Sequence, residues 1–211
     1  HIHDRRQRQM CIRDRDDCGN KEAALGSGSG TAAGASYDFG NGFIGAVGYT
    51  GAGSDSTKGL FTKEGDDAYG GQLSYSGDSY GASVTYANTE TSGSDTTYWA
   101  MNGYFSPSES GAVPSISVGY EVGDPEKANA KDTTQYFVGL QWDEAGPGTF
   151  GVALGTDGAF AENATEYMVY EAFYSYPVND GMTITPLIYV RENDANKADQ
   201  TGIMVKTSFS F

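Results

Sequence analysis

The sequence is poor in the residues on which most enzymes and most thick protein cores depend. After residue 20 it contains no histidine and no cysteine. This excludes Ser-His-Asp and Cys-His nucleophile systems, and His-ligated zinc or iron sites, from that part of the chain. Leu, Ile, Val and Phe together account for only 34 residues, too few for a helical bundle. No apolar run approaches the roughly 18 residues of a membrane-spanning helix.

Positive charge is also scarce, with 13 Lys and Arg against 28 Asp and Glu and a net charge of −15. So acidic a chain argues against nucleic-acid binding, because phosphate contacts need clustered basic side chains. High charge and few aliphatic residues are typical of disorder, but the 15 Tyr and 30 Gly contradict that interpretation. This mixture favours short β-strands with one polar face.

The first 20 residues differ in composition from the rest. They hold five of the six arginines, both histidines and both cysteines. The stretch QMCIRDR resembles translated sequencing-adapter sequence, so we interpret residues 1–20 as a non-native or disordered segment, with a genuine basic arm as the alternative. We expect residues 21–211 to be the C-terminal portion of a longer protein.

Apolar residues recur at every second position, which is the period of a β-strand and not of a helix. The clearest case is TGIMVKTSFSF, in which Ile203, Val205 and Phe209 fall on one face and Met204 and Lys206 on the other. No segment convincingly indicates a helix. Eleven strands are predicted, at residues 32–39, 43–50, 67–76, 80–87, 96–106, 115–122, 132–143, 148–155, 164–176, 182–191 and 201–211.

The polar faces of these strands are dominated by Gly, Ser and Thr, whereas charges concentrate in the connections. A soluble sandwich would instead cover its outer faces with Lys and Glu. An apolar outside, a mildly polar inside and charged loops describe a transmembrane barrel. We therefore predict an all-β, antiparallel up-and-down transmembrane β-barrel. Because bacterial barrels have even strand numbers, eleven strands suggest the C-terminal part of a barrel of about 16 strands.

The connections alternate between short turns and longer, more acidic loops, as periplasmic turns and external loops do. Aromatic side chains flank the short turns and are predicted to form a ring at one membrane interface. The predicted short connections are 40–42, 77–78, 107–114, 144–147 and 177–181, and the long ones are 51–66, 89–95, 123–131, 156–163 and 192–200. The flanking aromatics are Phe39, Phe43, Tyr75, Tyr80, Phe105, Trp142, Phe150 and Tyr176.

The C-terminus looks like the signal that outer-membrane assembly machinery recognises, with Phe209 and Phe211 at alternating positions. The stretches YDFGNGFIGAVGYTG, TKGLFTKEGDDAYGGQLSYSG and VKTSFSF resemble cyanobacterial porins of the OprB-like carbohydrate-selective family over most of residues 31–211. The resemblance implies a location in the bacterial outer membrane and passage of sugars and ions. It also implies contact with outer-membrane lipid and the barrel-assembly machinery, with a homotrimer as a candidate assembly.

Seven polar or charged residues on the predicted inward faces are expected to line the pore: Glu121, Gln135, Gln141, Glu171, Tyr189, Arg191 and Lys206. Charge and pore width at such a lining select solutes, although the same residues could simply hydrate the wall. We predict passive diffusion of small hydrophilic solutes, weakly cation-preferring because of the acidic loops. No catalytic residue, cofactor or metal site is predicted. The alternatives are a hydrolase on a barrel, which would lack the usual histidine, and an autotransporter translocation domain, for which no threaded helix is evident.

Overall fold

The computed structural model describes residues 31–51, 66–91, 94–107, 112–193 and 197–210. All regular structure in these ranges is β, in twelve strands that belong to one antiparallel sheet. The N-terminal segment 1–20 lies outside the described residues. The strands are β1 (Thr31–Gly40), β2 (Phe43–Gly51), β3 (Asp67–Ser76), β4 (Tyr80–Thr91), β5 (Ser94–Phe105), β6 (Ser115–Pro125), β7 (Thr133–Ala145), β8 (Gly148–Thr156), β9 (Phe160–Ala161), β10 (Met168–Asn179), β11 (Met182–Arg191) and β12 (Gln200–Phe209).

All eleven predicted strands are present, which confirms the antiparallel all-β prediction. The additional strand, β9, has two residues and pairs with the start of β7, too short for any periodicity to reveal it. The ninth predicted strand was expected to begin at residue 164, but the strand observed there, β10, begins at Met168. Residues 162–163 form a turn in which Asn163 has a left-handed φ of 62°. The Ala164 N–H closes this turn by donating to the Ala161 carbonyl at 2.9 Å, so the strand begins only after it.

The strands follow one another across the sheet in chain order, with β9 off the main path. This is an up-and-down meander, in which every long strand pairs with its sequence neighbours. β1 and β12 are the two edges, and within the described part of the chain no pairing joins them. All ten residues of β1 and nine of ten in β12 are exposed. The described residues thus form an open section of a wall.

The two faces of this wall differ in accessibility. The face that carries Thr85, Glu121 and Leu187, here called the inner face, holds the buried residues of the central strands. The opposite, outer face presents large exposed hydrophobic side chains such as Val84 and Val118. Each strand makes its substantial contacts only with its sheet neighbours, so no second layer of described strands covers the inner face. We conclude that the sheet is curved with the inner face concave.

Two connections break the predicted alternation of lengths. β4 and β5 pair as far as Thr91 and Ser94, so their connection is residues 92–93 and not the longer loop 89–95. At the opposite end, β5 and β6 are joined by nine residues, 106–114, where a short turn is otherwise the rule. Between β4 and β5, the Thr- and Ser-rich strand ends pair with each other and so lengthen the hairpin. Between β5 and β6, Pro107 and Pro114 end the hydrogen-bond ladder, because proline has no N–H to donate.

Pro186 lies within β11 and weakens one of its two ladders. The β10–β11 register is the same on both sides of the proline, but no pair is formed between Phe173↔Leu187 and Tyr176↔Ile184. The other neighbour is unaffected, with Pro186 opposite Val205 in β12. Thr185 donates a side-chain hydrogen bond to Ser175 Oγ at 3.1 Å within the gap. The missing N–H of proline thus leaves a gap in pairing and no bulge.

The turn between β1 and β2 gives a prediction about stability. Gly40 and Gly42 both have left-handed φ values, 81° and 86°, but a Cβ on Gly42 would lie 2.4 Å from the Ser76 carbonyl oxygen and one on Gly40 would meet nothing within 4 Å. Gly40→Ala should cost about 1 kcal/mol from left-handed strain. Gly42→Ala should cost up to about 2 kcal/mol, because the methyl group must also displace strand β3. Urea unfolding midpoints in lipid vesicles measure both, and equal losses would contradict the proposed clash.

Candidate functional site

The aromatic side chains beside the short turns form a row on the outer face. Rings of neighbouring strands are in contact, with centroid distances of 4.9 Å for Phe43 and Tyr75 and 5.5 Å for Tyr75 and Tyr80. Trp142 and Phe150 stack at 5.9 Å. Amphipathic rings at one level of a sheet suit the membrane–water interface.

A second row of outer-face aromatics was not predicted from the sequence. Each member lies six residues along its strand from a member of the first row, as Tyr49 does from Phe43. Six strand residues span about 20 Å, on the scale of the apolar band of about 25 Å in outer-membrane barrels. The sequence does contain a signal for this second row, because an aromatic residue recurs six positions away from another in the same strand. The second row is Tyr49, Tyr69, Tyr86, Trp99, Tyr136 and Tyr170.

Between the two rows the outer face is apolar and open. Leu73 is 54% exposed and Met101 59% exposed, and Val84, Val118, Val138 and Leu154 are exposed on the same face. An apolar surface of this extent suits contact with lipid and not with water. No helix in the described ranges is long and apolar enough to cross a membrane.

All seven predicted pore-lining residues lie on the inner face. The register places Glu121 opposite Gln135, and Glu171 opposite Tyr189. Gln141, Arg191 and Lys206 fall on the same face at other levels, as shown by their pairing with Gly151, Val169 and Thr185. Their role as a pore lining stays a prediction. Phe209 is exposed on the outer face, and Phe211 lies outside the described residues.

Glu121 is the most deeply buried large side chain of the inner face. It is 2% exposed, and its Oε1 accepts a hydrogen bond of 2.5 Å from Gln135 Nε2. Ala100, opposite Glu121 on β5, is completely buried. A carboxylate covered in this way needs polar partners, so Glu121 and Gln135 act together as a structural pair within the wall.

Arg191 is paired with a residue that sequence reasoning did not single out. Its guanidinium Nε donates to the Asp157 carboxylate. Asp157 directly follows β8, and Arg191 ends β11, so the ion pair joins the ends of two strands at the long-loop end of the wall. The two residues are far apart in the chain, and no pattern in the sequence reveals their contact. Lys206, in contrast, is exposed on edge strand β12.

Aromatic rings of the inner face cover glycines on neighbouring strands. A Cβ on Gly151 would lie 2.1 Å from a ring atom of Phe173, and one on Gly119 would lie 2.2 Å from Phe137. Tyr104 covers Gly81 and Tyr189 covers Gly202 in the same way. Only glycine leaves room for a ring to settle against the wall. The sequence predicted that Tyr189 lies on this face, but it did not predict the contact of Tyr189 with Gly202.

The chemical groups on the inner face determine which molecules it can contact. No group of three or more His, Cys, Asp or Glu side chains that could hold a metal ion occurs in the described part of the chain. What the face does present is hydroxyl, amide and aromatic groups, with a few charges in different settings. These groups can contact a passing solute through hydrogen bonds and ring faces.

Comparison with known proteins decides the family. A family model for Gram-negative porins matches residues 13–199. The chain belongs to the Gram-negative porin family. This porin is therefore located in the bacterial outer membrane, as predicted. The matched range begins inside segment 1–20, and the predicted boundary at residue 20 stays a prediction, as does the narrower OprB-like and cyanobacterial assignment.

One solved structure supports the fold. The porin is similar to the anion-selective porin from Comamonas acidovorans, with a TM-score of 0.67 and 13% identity over 85% of this chain. It spans 59% of the length of that protein. The KdgM porin in complex with disordered oligogalacturonate has a TM-score of 0.40 and 13% identity, over 85% of this chain and 91% of its own. No curated protein matches the sequence.

Proposed function

We propose that this porin forms part of the wall of a passive channel that carries small hydrophilic solutes, sugars and ions among them, across the outer membrane. The observation that carries the proposal is the opposite character of the two faces. The outer face is an exposed apolar band between aromatic rows, and the inner face carries Ser, Thr, Gln and a few charged groups. A wall of this kind supports diffusion down a gradient and needs neither a nucleophile nor an energy source.

The family and the fold favour a channel over a barrel-borne hydrolase. On the inner face the carboxylates lie in different settings. Glu121 is covered and bonded to Gln135, whereas Glu171 is half-buried beside Ala153 and Tyr189 in the register. General acid–base catalysis needs a titratable group within hydrogen-bond reach of the substrate. A covered carboxylate such as that of Glu121 is out of reach. The channel is also the simpler function for a face made mostly of small polar residues.

The proposed ion preference follows from the end of the wall that carries the long loops. In the described residues this end holds twelve acidic and four basic side chains. Carboxylates at a pore mouth concentrate cations and repel anions within about 8 Å at physiological salt. The acidic set is Asp66, Asp67, Glu90, Asp95, Asp124, Glu126, Asp132, Asp157, Glu162, Glu166, Glu192 and Asp199, and the basic set is Lys127, Lys131, Arg191 and Lys197.

Bilayer electrophysiology tests both the channel and its preference. The purified porin in planar bilayers should conduct, and under a salt gradient the reversal potential should show a weak cation preference. The triple variant Asp124→Asn, Glu126→Gln and Glu162→Gln should move that potential towards zero, because it removes exposed charge from the long-loop end. Raising the salt to 1 M should have the same effect, since it shortens the screening length to about 3 Å.

A matched variant at the other end provides the control. Asp78→Asn, Glu144→Gln and Asp180→Asn remove the same number of exposed charges beside the short turns and should change the potential less. A non-conducting protein would overturn the channel itself. An anion preference, like that named for the Comamonas porin, would overturn only the role given to the acidic loops.

A further inference from the structure

A cavity of about 90 Å³ opens on the inner face, in the half of the wall nearer the short turns. Its floor is made of small residues from three successive strands. Ser117 of β6 lies opposite Gly139 of β7, which lies opposite Ala153 of β8. Three small side chains in one row leave a depression that larger residues would fill. A Cβ on Gly139 would already lie 2.8 Å from Ser117 Oγ.

Aromatic rings bound this depression on three sides. Tyr104 continues the floor row on β5, opposite Ser117, while Phe137 and Phe173 rise from β7 and β10. Each of the three rings lies against a glycine of a neighbouring strand. This contact limits the rotation of the ring, because the space that a Cβ would take is filled by ring atoms. The walls are therefore preorganised, and preorganised walls lose less entropy when a ligand binds.

The remaining lining residues are uncharged. Three of them are polar, Ser106, Ser115 and Gln141, and four are apolar, Phe105, Ile116, Leu140 and Val152. Ser115 and Ser106 lie within hydrogen-bond distance of each other, with their Oγ atoms 3.3 Å apart, and Gln141 lies at the same margin. No Asp, Glu, Lys or Arg occurs among the lining residues that the structure describes. The lining itself carries no charge, and Gln141 Nε2 donates to the exposed Asp143 carboxylate beside it at 2.6 Å. The hydroxyl and amide groups of the lining can exchange hydrogen bonds with the hydroxyl groups of a neutral solute.

We propose that this cavity, the Tyr104–Phe173 pocket, is a binding station for a neutral pyranose ring. A pyranose combines an apolar C–H face, which packs on aromatic rings, with equatorial hydroxyl groups for Ser and Gln side chains. The inference rests on the proposed channel and deepens it by naming one solute class and one place of contact. Retention at such a station must be weak and saturable, because a solute that is to pass must also leave.

The experiment compares a cyclic sugar with an open chain of the same size. D-Glucose and D-sorbitol have the same number of carbon atoms, but only glucose forms a pyranose ring. Each is added to the purified porin in planar bilayers while the ion current is recorded. Glucose should reduce the current in a saturable manner, and sorbitol should change it only as far as it changes the conductivity of the solution.

Point variants test whether glucose blocks the current at this pocket. Phe173→Leu removes the ring but keeps an apolar side chain, and it should weaken the glucose block about threefold to tenfold, as expected for loss of one aromatic contact. Phe173→Tyr keeps the ring and should retain the block. Tyr98→Leu is the matched control, because the Tyr98 ring covers Gly123 on the same face but lies outside the pocket. It should leave the block unchanged.

The results separate the pocket from the channel. A porin that does not conduct would overturn the proposed channel. A porin that conducts but shows no saturable glucose block, or is blocked equally by sorbitol, would overturn the pocket alone. An equal block in wild type and Phe173→Leu, or a loss of block in Tyr98→Leu as large as in Phe173→Leu, would also overturn it.

Discussion

Val205→Arg should destabilise the folded porin by about 2–4 kcal/mol, the cost of an arginine at the mid-depth of a lipid-facing barrel surface. Val205 is 61% exposed on the outer face of β12 and lies four residues before Phe209, away from the strand end. In lipid its neighbours would be acyl chains, which cannot solvate a guanidinium group. Urea unfolding and refolding in lipid vesicles measures the change.

Met204→Arg is the matched control one residue earlier. Met204 is 42% exposed and lies on the inner face, opposite Leu187. That face already accepts a cation, because Lys206 lies two residues further along the same strand. The control should cost less than about 1 kcal/mol, since substitutions facing the lumen mainly affect selectivity. Equal losses of stability in the two variants would contradict the assignment of Val205 to a lipid-facing surface and of Met204 to a lumen-facing one.

The strands were predictable because each one carries its own period. Val205 and Lys206 fall on opposite faces in the sequence pattern and in the structure, and the same holds for Val84 and Thr85. In a single sheet the alternation of faces is a local property, determined by pleating alone. The resemblance to porins then supported the assignment of these strands to a transmembrane β-barrel. Curvature, and the lack of a pairing between β1 and β12 among the described residues, in contrast depend on all the strands together.

The contacts across strands were not predictable, since register decides them. Phe173 meets Gly151, and Arg191 meets Asp157, only because β8, β10 and β11 align as they do. A shift by two residues would preserve every face and change every one of these partners. For the same reason the sequence indicated Glu121 as an inward charge but not its burial. The composition of the inner face was therefore available from the sequence, and its pockets and pairs were not.

The pairing of Glu121 with Gln135 has the second large expected effect. Gln135→Leu removes the amide that donates to the buried carboxylate, and we expect a loss of about 1.5–3 kcal/mol, the range for hydrogen bonds to charged groups. Glu121 is central in the sheet, between Ala100 and Gln135 in the register, so water cannot easily replace the lost donor. The free energy of unfolding in vesicles is again the measurement.

Gln72→Leu is the control for the loss of an amide alone. Gln72 Nε2 donates to the hydroxyl Oγ1 of Thr85 at 2.9 Å on the same face, so the acceptor is neutral, and the cost should be only about 0.5–1.5 kcal/mol. The double variant Glu121→Leu with Gln135→Leu should regain most of what Gln135→Leu loses, because both polar partners are then absent. If the double variant is instead less stable than Gln135→Leu, Glu121 stabilises the wall through other contacts, and the carboxylate is held for more than its bond to Gln135.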